Sequence, residues 1–159
     1  MPDGLGGSVS YEFDKVYHYD LSSWINIDGW NEKETNALMD DGRFASHILE
    51  RQIPKWFPTL DHVTGCKDHD HIDSTNSLRF DAKNLTKNGC KFMPSSMLGA
   101  GRRFNQDVFL EKAKTLNYII CDIADFPSVR LIIKRGSELA SDFPKGSISK
   151  VKGRRLLFS

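Results

Sequence analysis

Cysteine is scarce: the 159-residue chain has three, at positions 66, 90 and 121, an odd number with no Cys-x-x-Cys pair. That argues against a disulfide framework and suits reduced thiols in a cytoplasmic protein. Long apolar runs are missing too. No stretch approaches the roughly 20 residues needed to span a bilayer, so no membrane partner is expected. Residues 1–8 lack a basic segment followed by an apolar one, which excludes a secretory signal and reads as a disordered lead-in to a single domain over 9–159. A Gly-Lys-Ser/Thr phosphate loop is absent, and Gly99-Ala100-Gly101 does not extend to a dinucleotide fingerprint. No nucleophile-elbow sequence, internal repeat or low-complexity segment occurs.

What is present is an ordinary globular composition, 39% hydrophobic and 27% charged. The net charge of +1 hides an asymmetry. Residues 1–81 hold 15 acids and 7 bases, whereas residues 82–159 hold 6 acids and 15 bases. A basic half suits a polyanion partner and an acidic pocket suits a cation, unless the halves simply attract each other across a fold or dimer interface.

The first 30 residues are rich in aromatics (Tyr11, Phe13, Tyr17, Tyr19, Trp24, Trp30), read as core or dimer-interface groups. Val9 to Phe13 alternates like a strand, and Tyr17-His18-Tyr19 continues an extended segment. Residues 31–53 are helical in pattern, with Asn31 as cap, a break near Gly42, Phe44, Ile48 and the stem of Arg51 on one side with Ala45, Leu49 and Ile53 close by, and Pro54 as terminator. Asn105 caps a helix running to about Thr115. Residues 118–123 and 129–133 are apolar enough to be central strands, joined as a hairpin by a short turn in which Asp122 and Asp125 serve loop chemistry. From Lys145 the chain carries no acid, and a final strand presenting basic side chains is expected.

The chemistry concentrates between residues 68 and 83. Leu78-Arg79-Phe80-Asp81-Ala82-Lys83 alternates apolar and charged residues with a period of two. The turn formers Ser74-Thr75-Asn76-Ser77 precede it, after the acidic run Asp68-His69-Asp70-His71-Ile72-Asp73. Folded there, Asp70 falls opposite Asp81 and Asp68 opposite Lys83. Two carboxylates and an ammonium on one face suit a hard divalent cation such as Mg²⁺. Glu50, near a helix C-terminus where the dipole does not favour it, is a candidate third carboxylate or a solvated residue pairing with Arg51 or Lys55. The cluster Asp61, His62, Cys66, His69 and His71 allows a rival zinc site, although no Cys-x-x-Cys or His-x-x-x-His pair supports it. On an extended strand, His69 and His71 point away from Asp70.

This hairpin resembles the core motif of the PD-(D/E)XK nuclease superfamily, the restriction-endonuclease-like proteins. Asp81-Ala82-Lys83 matches the acid-x-Lys element, Asp70 the first acid, and Glu50 the helical acid, over residues 42–123. His69 stands where a proline often precedes the first acid, which keeps Asp68 and Asp73 as competitors of Asp70. The resemblance implies an α/β fold with a central mixed sheet flanked by helices. It also implies Mg²⁺-dependent hydrolysis of DNA phosphodiesters with Asp70, Asp81, Lys83 and Glu50 as catalytic residues, the first two holding the metal. Arg102 and Arg103 in a Gly/Ser loop, Lys87, Lys91, and the C-terminal Lys150, Lys152, Arg154 and Arg155 are candidate DNA contacts. A restriction-type homodimer comes first, then a junction or repair nuclease. The reading from another class is a non-catalytic DNA-binding or assembly protein.

Overall fold

The two most apolar stretches pair with each other at the middle of the fold. The computed structural model describes residues 10–21, 28–39, 42–64, 69–94, 97–98 and 100–159. Eight strands and five helices follow in the order β1 (Val16–Asp20), α1 (Glu32–Met39), α2 (Gly42–Trp56), β2 (Leu60–His62), β3 (His71–Asp73), β4 (Arg79–Leu85), β5 (Cys90–Lys91), α3 (Gln106–Ala113), β6 (Asn117–Asp122), β7 (Ser128–Arg135), α4 (Gly136–Asp142), β8 (Ser147–Ile148) and α5 (Lys150–Leu157). The expected lead-in, residues 1–8, lies outside the described residues, as do Trp24, Cys66 and Asp68.

A six-stranded mixed sheet runs in the order β1-β7-β6-β4-β3-β2. β2, β3 and β4 form an antiparallel meander, and β6 then joins β4 in parallel after the chain crosses over through α3. β6 and β7 form the antiparallel hairpin, buried along most of its length. β5 and β8 make a separate two-stranded ladder.

The period of two divides the apolar residues into two cores, one on each face of the sheet. On one face Phe80, Ile119, Cys121, Leu131 and Ile133 meet Ala45, Leu49, Ile53 and Phe57, the latter from α2 and the residue after it. Tyr11, Phe13, Tyr17 and Tyr19 pack against this core, as expected of the N-terminal aromatics. On the other face Leu85, Tyr118, Ile120 and Ile132 meet Phe109 and Ala113 of α3, Leu139 and Ala140 of α4, and Leu157 of α5.

Four local expectations are corrected. Residues 10–13 are not a strand, and pairing begins at Val16, where β1 adds to the edge of β7. In α2 the buried line is Ala45, Leu49 and Ile53, while Phe44 is exposed, because the sheet lies on the other side of the helix from Phe44. Pro54 does not end α2, which continues to Trp56. A proline has no N–H for the carbonyl four residues back, here Glu50. His71 Nε2 stands 3.1 Å from that oxygen in its place. The basic C-terminus is a helix, not a strand: Ser149 accepts from the Lys152 N–H as its cap, and Gly153 lets the helix sit on Leu85, whose methyl carbons would lie 3.0 and 3.1 Å from a Cβ there.

Candidate active site

The β3–β4 hairpin takes the register that its sequence implies. His71 pairs with Phe80 and Ile72 with Arg79, and the turn closes with the Ser77 N–H donating to the Asp73 carbonyl at 2.8 Å. One step further along that register brings Asp70 beside Asp81. There the ladder gives way to a side chain: Ala82 N–H donates to Asp70 Oδ1 at 2.9 Å. The Asp70 carboxylate therefore occupies the point where the two strands part.

Asp81 and Lys83 project from β4 on the face of α3, α4 and α5, with Lys83 Nζ 3.1 Å from Asp81 Oδ2. Their side chains are largely but not wholly covered, at 21% and 17% exposure. Burial, together with the neighbouring Asp70 carboxylate and a hydrogen bond between the two acids, pushes the Asp81 carboxyl up to about 6, against the pull of Lys83. With the Asp70 carboxylate beside it, Asp81 lies in a negative pocket that a cation relieves. Their oxygens are hard ligands of the kind Mg²⁺ prefers, and Mg²⁺ commonly takes only one or two protein carboxylates and keeps water and phosphate oxygens for the rest.

The structure brings Asp70, Asp81 and Lys83 together. It does not bring Glu50 into the group. α2 covers the opposite face of the sheet, and the Glu50 carboxylate lies 3.5 Å from His62 Nε2. Among the described residues no three His, Cys, Asp or Glu side chains are grouped to hold a metal, so Glu50 is not assembled there as a third ligand; the zinc candidate Cys66 lies outside the described residues. Asp73, the competitor of Asp70, is committed to the hairpin turn. Although burial works the other way, hydrogen bonds from Thr75 and Tyr11 hold its carboxyl below the usual value.

His71 keeps the strand alternation, facing α2 beside its partner Phe80, yet it still reaches Asp70. Its ring is fully buried, and Nδ1 lies 3.0 Å from Asp70 Oδ1 rather than pointing away from it. The contact forms because Asp70 stands just before β3, which begins at His71.

The expected DNA contacts divide by their surroundings. Lys87, Lys91, Arg102, Arg103, Lys152 and Arg155 are exposed, and Lys150 is half-buried. They lie on the β4–β5 turn, β5, the loop before α3, and α5, the elements of the Asp81 face. Arg154 has a different task. Its guanidinium binds Asp122 (3.1 and 3.3 Å) and Asp125 (2.7 Å), and Asp122 also receives Arg130 at 2.6 Å. Asp122 is 2% exposed, so this network fastens α5 to the end of β6. A buried acid at the end of an apolar strand, with an arginine-rich tail downstream, was the available signal.

No family model matches the chain, and no curated protein or solved structure matches it.

Proposed function

We propose that the chain is a Mg²⁺-dependent DNA endonuclease with a restriction-endonuclease-like core. The observation that carries this reading is the convergence of Asp70, Asp81 and Lys83 at the point where β3 and β4 part. The order of elements adds support: a helix, a hairpin, a second helix and a strand follow one another, as the resemblance implies. Lys87, Lys91, Arg102, Arg103, Lys150, Lys152 and Arg155 belong to elements that pack on the face from which Asp81 and Lys83 project.

Asp70 and Asp81 hold the metal, which supplies Lewis acidity at the scissile phosphate and an acidified water. Lys83 sets a positive charge beside that position, where it orients the attacking water and offsets charge building on the phosphate oxygens. Asp81 would hold the cation as a carboxylate, the form that dominates above about pH 6. Lys87, Lys91, Arg102, Arg103, Lys150, Lys152 and Arg155 hold the DNA backbone, and Arg154 holds the protein together. A homodimer cutting both strands of a two-fold symmetric site is the natural assembly for a restriction-type enzyme.

Incubating the protein with supercoiled and linear DNA, with Mg²⁺ or with a chelator, tests the proposal. Nicking or linearisation that needs the metal is the expected outcome. Intact DNA across several substrates and divalent metals, with salt-sensitive binding retained, would instead indicate a non-catalytic DNA-binding protein.

A further inference from the structure

We infer that His71 is a positioning residue that fixes the Asp70 carboxylate by tying it to the backbone of α2, and that Pro54 opens the anchor point. The inference rests on the metal reading of the Asp70–Asp81 pair for its catalytic meaning, but its geometry stands alone. The His71 ring is fully buried between the sheet and α2. Its two nitrogens face two acceptors, the Asp70 Oδ1 at 3.0 Å and the Glu50 carbonyl at 3.1 Å. In an unbroken helix the Glu50 carbonyl would receive the N–H of residue 54, which proline lacks. Pro54 therefore leaves an acceptor at the position that His71 Nε2 reaches. The ring thus lies within hydrogen-bond distance of both oxygens at once.

The consequence falls on Asp70. Its Oδ1 receives two donors, His71 Nδ1 and the Ala82 N–H, one from each strand of the hairpin. With Oδ1 taken, Oδ2 is the oxygen available to a cation beside Asp81. A carboxylate at the end of a two-pair ladder would otherwise swing freely; α2, through His71, holds it in one orientation. His62 stands beside this link, its ring 5.4 Å from that of His71 and its Nε2 near the Glu50 carboxylate, so it braces the same helix turn.

Replacements that each imitate one ring nitrogen separate the two ends of the bridge. His71→Asn keeps a donor near the Nδ1 position, whereas His71→Gln reaches only toward the Nε2 position. Amide exchange of Ala82 in the metal-free protein should accelerate about tenfold in His71→Gln, the loss expected when one hydrogen-bonded acceptor is freed to move, and much less in His71→Asn. Mg²⁺ affinity by calorimetry should fall about 10- to 100-fold in His71→Gln and recover in His71→Asn, the range usual for a residue that orients a metal ligand. Equal Ala82 exchange in the two variants overturns the inference. If either variant fails to fold, the wild-type protein decides: a slowly exchanging His71 Nδ1–H with a nuclear Overhauser contact to the Ala82 N–H is expected, and its absence overturns the bridge. Wild-type protein that shows the bridge but binds no Mg²⁺ refutes the metal reading and leaves the positioning of Asp70 standing. Wild-type protein that binds Mg²⁺, with His71→Gln binding it equally well, refutes the role of His71 alone.

Discussion

Asp81 is the residue on which burial, Asp70 and Lys83 all act, and its carboxyl is pushed up to about 6 as a result. The sign of the stability effect follows. Because the folded state holds this proton more tightly than the unfolded chain, the contribution of Asp81 is fully favourable below the ordinary Asp value of about 4 and is lost as pH rises through about 6. Asp81→Asn should therefore stabilise the metal-free protein at pH 8, by about 2 kcal/mol, and flatten its stability between pH 4 and 6 relative to wild type. Denaturant unfolding of both proteins across that range checks this, and a parallel pH profile for the two would contradict it. The same pocket should bind Mg²⁺ more weakly at pH 5 than at pH 7.5, since protons compete for Asp81; titration calorimetry at the two values reads the difference directly.

At the scale of elements, α5 is where sequence and structure differ most. Its outward face carries Val151, Lys152, Arg155 and Leu156, while Gly153 and Leu157 face the core and Arg154 reaches the buried Asp122. Asp122→Asn should cost about 3 kcal/mol, since it leaves Arg130 and Arg154 without their buried counter-charge. Lys152→Ala should stay within about 0.5 kcal/mol of wild type by thermal unfolding. The β3–β4 register was legible because apolar and charged residues alternate strictly and the turn formers between them leave one way to fold. The β6–β7 hairpin was legible from its apolar runs. The C-terminus was not: Ile148, Val151 and Leu156 suit a strand as well as a helix, and tertiary contact with Leu85 decides. Pro54 misled for a related reason, because the group that faces the carbonyl it leaves open comes from His71, 17 residues later. Of the site, Asp70, Asp81 and Lys83 were readable from local pattern. The separation of Glu50 from them was not, because it depends on which face of the sheet α2 covers.

For the whole molecule, the reversal of charge along the chain does not map simply onto the two faces of the sheet. On the Asp81 face the positive charge is concentrated in α5 and in Arg102 and Arg103, while α3 and α4 are net acidic; α2, from the acidic half, carries Arg43, Arg51 and Lys55 against Glu50. Internal attraction uses part of that basic charge, as the Arg154 network shows, and the exposed remainder is available to a polyanion. Removing Lys152 and Arg155 together should lower the slope of log affinity against log salt by about 2, one phosphate contact each, without changing the dependence of cleavage on Mg²⁺. Filter binding over a salt series measures it. The central claim is that Asp81 holds the metal for cleavage and is not needed for holding DNA. The most direct test measures DNA cleavage and DNA binding side by side for wild type and Asp81→Ala in Mg²⁺. The account predicts cleavage by wild type alone and equal binding by both; cleavage that persists in Asp81→Ala would contradict it.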